Sequence, residues 1–267
     1  MSTTLKATYG HGTENDFVLL FDPEDKHELK PEVIARICDR NSGIGADGFI
    51  RIIRRDGKWF MDYRNRDGSL AEMCGNGIRV MARYLVDRGH QPAGIFAIAT
   101  RAGMKYLSAP DQGVIAVNMG QVALVESVIE VSIEDKNWRG VNINVGNPHA
   151  VVIAENIASL DLTRAPEVRP AASYPDGVNV EFFTFLPNGE LEMRVFERGV
   201  GETRSCGTGT CAVALAATIA KGGRLPSRWI INPPGGRLIV DIDGHSNATL
   251  TGPALLVCDL DLGEFLE

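Results

Sequence analysis

Two short segments hold the residues best suited to chemistry. Cys74-Gly75-Asn76-Gly77 and Cys206-Gly207-Thr208-Gly209 each set a cysteine just ahead of a glycine-punctuated helix start, 132 positions apart (206 − 74). A helix N-terminus offers unpaired backbone N–H groups and a partial positive charge, which bind an anion and lower the pKa of a nearby thiol. Glycines at 75, 77, 207 and 209 let a ligand come close to the backbone. One carboxylate held between two such corners would carry a sulfur on either face of its α-carbon. A thiolate could then remove the α-proton from one face while a thiol donates from the other, inverting the centre. A single Cys-Gly-x-Gly corner is equally well a structural cysteine packed against glycine, and it is the pair in register that favours chemistry.

The elements that position the corners repeat with them. At the same offset Asn15 falls on Asn147, Gly45 on Gly177, Asp47 on Asn179, Met61 on Met193, Asn65 on Glu197, Arg66 on Arg198, Gly103 on Gly235 and Gly120 on Gly252. Six glycines coincide this way, whereas glycine's frequency, 29 in 267, predicts about one or two by chance. The chain is therefore one unit used twice. Apolar runs at 17–20, 95–99, 114–119, 151–153, 229–231 and 238–240 read as strands. Asp56-Gly57 and Asn188-Gly189 read as type I′ hairpin turns at matching places. Helices are expected from Pro31, after Cys74 as an amphipathic helix closed by Gly89, and after Cys206, where Cys211–Ala220 is apolar all round and should be buried. The fold class is α/β of the α+β type, two pseudo-symmetric domains from an internal duplication, each wrapping strands around a central helix. The register restarts near 122–132, giving domains at 1–125 and 126–255.

Composition narrows the partners. A net charge of −7 with no Lys/Arg run argues against nucleic acid or an anionic membrane. The longest uncharged apolar run is too short to span a bilayer, and residues 1–12 lack the apolar stretch of a signal peptide, so a cytoplasmic protein is expected. The five cysteines form no Cys-x-x-Cys pair, which argues against a disulfide framework, a zinc site or a thiol redox motif. Cys38 and Cys258 read as buried structural thiols. No phosphate loop or Schiff-base lysine points to pyridoxal phosphate, so neither cofactor nor metal is expected. Asn15, Asn65, Asn147 and Asn179 suit turns as well as ligand contacts, His149 suits a turn, and Arg198 suits either a carboxylate contact or a surface ion pair.

The motifs together resemble the diaminopimelate epimerase family. They are Asn15-Asp16-Phe17, then Asn65 to Ser69 with Glu72 to Gly77, then Gly146 to His149, Val178 to Val180, and Glu197 to Thr203 with Cys206 to Gly209. The resemblance implies two similar domains around a cleft, with residues 256–267 returning to the first. It implies cofactor-independent interconversion of LL- and meso-2,6-diaminopimelate, on the path to lysine and cell-wall peptide, by a homodimer. Cys74 and Cys206 would be the acid/base pair, with Gly75, Asn76, Gly207 and Thr208 holding the reacting carboxylate. Asn15, Asn65, Asn147, Asn179, Glu197 and Arg198 would bind the other polar groups, and His149 and Glu197 would tune the thiols. Two departures stand out: Gly12-Thr13-Glu14 where the family usually has Gly-Leu-Gly, and Gly48 where many members carry Gln. A proline-type racemase is the nearest rival, but it carries His at the position of Asn76. A catalytically silent amino-acid-binding protein is the alternative of another class, and it would be expected to have lost a cysteine.

Overall fold

The computed structural model describes residues 4–266. In chain order its strands are β1 (Lys6–Gly12), β2 (Asn15–Phe21), β3 (Gly48–Arg55), β4 (Lys58–Asn65), β5 (Gly94–Thr100), β6 (Gly103–Ala109), β7 (Ile115–Gln121), β8 (Ala123–Ile133) and β9 (Lys136–Asn144). They continue as β10 (Pro148–Ile153), β11 (Glu167–Arg169), β12 (Asn179–Phe185), β13 (Leu191–Glu197), β14 (Gly201–Thr203), β15 (Ser227–Asn232), β16 (Leu238–Ile242), β17 (Asn247–Gly252) and β18 (Leu255–Asp261). The helices are α1 (Pro31–Cys38), α2 (Gly75–Asp87) and α3 (Gly207–Ala220). The chain divides into two compact units, residues 1–117 with 252–267 and residues 118–251, so the first break falls ahead of the 122–132 stretch. No helix among the described residues is long and apolar enough to cross a membrane.

The duplication is explicit in the strand pairing. In the first unit β18 pairs β1 and β1 pairs β2, both antiparallel; β2 pairs β3 in parallel, β3 pairs β4 antiparallel, β4 pairs β5 in parallel, and β5, β6 and β7 follow antiparallel. The second unit repeats the scheme with β8, β9, β10, β12, β13, β15, β16 and β17. Beyond β7 and β17 the chain supplies the end strand of the other half: β8 pairs with β9, and β18 with β1. Leu262, just past β18, completes the first unit's core with Leu5, Ala7, Val18, Leu20, Ile34, Ile37 and Cys38.

Each unit holds its helix among strands. α2 packs on β1, β2, β3, β6 and β18, and α3 on β9, β10, β12, β13, β15 and β16. Gly89 at φ 72 closes α2 and Gly222 at φ 63 closes α3, the left-handed places where glycine avoids a Cβ clash.

Three sequence expectations need correction. Asp56-Gly57 is a type I′ turn, with φ of 50° and 73°, but Asn188-Gly189 is not: only Gly189 is left-handed, at φ 83. There the turn runs from Leu186, with Gly189 N–H donating to Leu186 O at 3.0 Å, because Pro187 fixes a negative φ and starts it one residue early. Cys38 is buried but Cys258 is exposed, since β18 ends the strand order and turns one face outward. The 132 offset also slips by one in β12. Phe17 lies beside Gly48 across β2 and β3, and His149 lies beside Asn179 across β10 and β12, so Asn179 corresponds to Gly48 (179 − 48 = 131) and not to Asp47.

Candidate active site

In the first unit Cys74 is the N-cap of α2, with extended backbone at φ −132 and ψ 121. The Gly77 N–H donates to its Sγ at 3.4 Å, so the sulfur sits where a serine oxygen would in an ordinary cap. The half-buried thiol lies 3.5 Å from Asn15 Oδ1, which also accepts from Asn76 Nδ2 at 3.2 Å. Asn15 is held from behind, its Nδ2 donating to Asp47 Oδ2 at 2.7 Å. Arg40 then clamps Asp47 at 2.7 Å and Asp16 at 2.8 and 3.0 Å, and the Tyr9 hydroxyl donates to Asp16 at 2.6 Å. Burial alone would raise Asp16, but Arg40, the Tyr9 hydroxyl and the Asp47 N–H outweigh it and hold the carboxyl below its ordinary value. Asn65 is engaged in its own turn, donating to Ser69 Oγ at 3.0 Å.

Both departures in this unit have a structural reason. A Cβ at Gly48 would lie 2.6 Å from Tyr63 Cε2 and 2.8 Å from Arg64 O, so the Tyr63 ring occupies the space a longer residue 48 would need. Thr13 and Glu14 take φ of 52° and 59°, the left-handed pair of a tight hairpin turn between β1 and β2. That conformation is uncommon for a β-branched residue. Thr13 is locked in it by burial, by its bond to Gly12 O at 2.7 Å and by Arg79 at 3.3 Å.

In the second unit Cys206 caps α3 in the same way, at φ −124 and ψ 119, with the Gly209 N–H 3.4 Å from Sγ. Thr208 Oγ1 lies 3.5 Å from the thiol and accepts from Asn147 Nδ2 at 3.4 Å. His149 is tethered at both nitrogens, Nε2 to Asn147 Oδ1 at 2.9 Å and Nδ1 to Glu181 Oε1 at 2.7 Å. The Glu197 carboxyl takes hydrogen bonds from Thr203 and from the Cys206 thiol. Asn179 Oδ1 accepts the Arg198 backbone N–H at 2.9 Å, and the exposed Arg198 side chain donates to Asp176 O at 3.1 Å.

The two corners differ electrically. Burial, then the Glu197 and Glu181 carboxyls, push the Cys206 thiol well above its ordinary value, against the lowering by Thr208 and the Gly209 N–H. The lowered thiol expected at a helix N-terminus therefore does not hold at Cys206, because desolvation and two carboxyl groups exceed what the N-terminus supplies. Burial likewise raises Glu197, with Glu181 adding to it and Thr203 opposing. The corner thus sets beside the Gly209 N–H a thiol whose ionisation its surroundings oppose. Sequence reasoning missed Glu181, Asp47 and Arg40 as supports. Asp47 and Glu181 lie within or beside the matched segments, but nothing in the sequence marks Arg40.

The family model for diaminopimelate epimerase matches the chain twice, over residues 7–125 and 141–257. The chain belongs to the diaminopimelate epimerase family. Diaminopimelate epimerase of Streptomyces coelicolor is 44% identical over 282 residues, covering 99% of this chain and 96% of that one. The enzyme of Thermobifida fusca is 44% identical over 269 residues, covering 95% and 96%. Among solved structures, this epimerase-family chain is similar in fold to a Bacillus anthracis phenazine biosynthesis protein of the PhzF family, with TM-score 0.76 and 14% identity over 97% and 99% of the two chains. A hydroxyproline epimerase from Agrobacterium vitis gives TM-score 0.73 and 14% identity over 97% and 92%.

Proposed function

We propose that the protein interconverts LL- and meso-2,6-diaminopimelate, using Cys74 and Cys206 as the two bases. The observation that carries this reading is the duplicated corner, in which each cysteine caps a helix with its sulfur held by a glycine N–H, in a chain of this family. The substrate carboxylate is bound by backbone N–H groups at the starts of α2 and α3, around Gly75, Asn76, Gly207 and Thr208. One sulfur, as thiolate, takes the α-proton, breaking C–H and forming S–H. The other, as thiol, gives its proton to the opposite face of the planar intermediate, and the reverse reaction exchanges the roles. The negative charge that builds on the carboxylate is stabilised by helix N-terminal donors already in place.

The remaining groups suit a long substrate with a second charged end. Asn15, Asn65, Asn147 and Asn179 offer amides, Glu197 a carboxyl and Arg198 a guanidinium able to grip the distal carboxylate. No step in this scheme calls on a cofactor or a metal. We read the chain as two domains, 1–125 with 256–267 and 126–255, in a cytoplasmic homodimer.

The test is incubation of the purified protein with LL-diaminopimelate in deuterated water, without added cofactor. The expected product is the meso isomer carrying deuterium at one α-carbon. Product formed without deuterium, or no product until pyridoxal phosphate is supplied, would overturn the two-thiol reading.

A further inference from the structure

The duplication supplies an internal control for what lies behind each cysteine. In the first unit the helix start rests on apolar side chains: a Cβ at Gly77 would meet Ile50, Met61 and Phe17 at 3.0 to 3.3 Å. Phe17 and Ile50 are both fully buried. In the second unit the strand register puts His149 at the place of Phe17 and Glu181 at the place of Ile50 (50 + 131 = 181), while Met193 matches Met61. A Cβ at Gly209 would lie 2.5 Å from Glu181 Oε1. The same backbone thus carries an apolar pair behind Cys74 and an ionisable pair behind Cys206. An apolar pair is the cheaper solution for stability, since burying charge costs more than it returns in most cores. The exchange therefore serves something other than stability.

The geometry of the ionisable pair says what. His149 and Glu181 are each 0% exposed. Asn147 Oδ1 only accepts, so His149 Nε2 carries a hydrogen, and the 2.7 Å approach of Nδ1 to Glu181 Oε1 requires one more proton between them. Glu181 Oε2 is buried and has no hydrogen-bond partner among the described residues. A carboxyl oxygen left bare in the interior is costly and marks a group kept for a role other than stability. The ionisable groups around Cys206 are Glu197 from β13, Glu181 from β12 and His149 from β10.

We propose that Glu181 is a positioning residue of the Cys206 corner: it holds the His149 ring by Nδ1 and sets its carboxyl oxygens behind Gly209, so that Cys206 rests as the thiol in the free protein. The proposal rests on the two-thiol reading above. It makes the two half-sites unequal before substrate arrives, with Cys206 the ready proton donor and Cys74 the partner that starts as base.

The experiment compares the full-length protein with Glu181→Gln and with His149→Phe/Glu181→Ile. The double variant copies the pair that the first unit already packs, so it keeps the fold even if the single variant does not. Iodoacetamide labelling of Cys206 and Cys74 is followed against pH by peptide mass spectrometry, and epimerisation of diaminopimelate is measured alongside. The expected result in both variants is a Cys206 labelling midpoint lower by about one pH unit, with the Cys74 midpoint unchanged. In Glu181→Gln the high-pH limb of kcat/KM should fall with the Cys206 midpoint, and kcat should drop while KM stays within about twofold. A purely structural role would lower activity and leave the midpoint in place. A Cys206 midpoint that moves by less than about half a unit in the double variant, or a Cys206 unlabelled in both proteins, overturns the proposal. Loss of the substrate reading shows separately, as a wild-type protein that does not epimerise diaminopimelate while its Cys206 midpoint still answers to Glu181.

Discussion

Cys74 and Cys206 were marked in the sequence because residue type, glycine spacing and repetition pointed to the same places, and the structure puts both sulfurs on helix caps. Inversion needs one sulfur on each face, so Cys74→Ala and Cys206→Ala should each lower epimerisation by at least about 100-fold, the low end of what a positioned acid or base supplies. Far-ultraviolet circular dichroism should be unchanged, because an alanine cap removes only the weak bonds made at sulfur and leaves the helix hydrogen bonds in place. Near-normal turnover in either variant would remove that cysteine from the chemistry. Arg198 is a different case: its guanidinium is exposed and, among the described residues, is bonded to one backbone carbonyl, that of Asp176. Arg198→Met should raise KM by about 10-fold or more with little change in kcat, as expected when a charge-assisted contact is lost. Arg198→Lys should recover part of it, since an ammonium cannot reproduce the planar fork. Glu181 was illegible at this scale. A glutamate inside the apolar run Val178 to Phe185 carries no motif of its own, and its meaning appears only when the register sets it beside His149.

At the scale of the elements, most strands and all three helices could be read from apolar periodicity and from Pro and Gly punctuation. What could not be read was where the repeat slips, because a one-residue deletion between β10 and β12 leaves the glycines at 45 and 177 aligned while moving β12 out of step. Gly48 illustrates the cost of that limit. It looked like a lost pocket residue, yet its space is filled by Tyr63 from β4. Gly48→Ala should therefore destabilise the protein by about 1–3 kcal/mol, because its Cβ meets the Arg64 carbonyl as well as the ring. Urea unfolding would check this, and an unchanged midpoint would show that the strand has room to shift. The crossing of β8 into the second unit was illegible for the same reason, since strand propensity says that a segment is extended but not which edge it joins, whereas the return of residues 256–267 to the first unit was implied by the family resemblance. Deleting residues 255–267 would strip β1 of its partner, remove the Thr8 to Asp259 bond of 2.8 Å and take Leu262 out of the core. Such a chain should lose cooperative unfolding of the first unit, seen as early amide exchange in β1 and α1, with α3 still protected.

For the whole molecule, ionisable groups outside the two cysteine corners also set a pH limit on stability. Cys38 lies at the end of α1 in the core, where burial, then the Asp16 and Asp47 carboxylates, push its thiol from 9.0 up to about 12. A thiol raised on folding gives stability that is complete below its unfolded value and is lost as pH rises through the folded one, because the unfolded chain releases the proton first. The window is therefore pH 9 to 12. By pH 11 the loss amounts to about 2–3 kcal/mol at 1.36 kcal/mol per unit. Tyr9, raised by burial and by its bond to Asp16, acts in the same direction. At the acid end the sign reverses. Burial would raise Asp62, but Arg101, Arg64 and Arg51 prevail and hold it low, so its contribution is present above the ordinary carboxylate range and is lost as pH falls below it. The alkaline limb is the one that a single substitution isolates. Cys38→Ala should cost about 1–2 kcal/mol at pH 7, through the atoms removed from the core, and should flatten the decline in stability between pH 9 and 11 relative to the parent. Urea melts at half-unit steps across that range would measure the difference. Parallel curves for the two proteins would show that Cys38 ionises as easily in the folded chain as in the unfolded one, and that the other groups raised on folding, Tyr9, Tyr84 and Cys206, carry the alkaline loss.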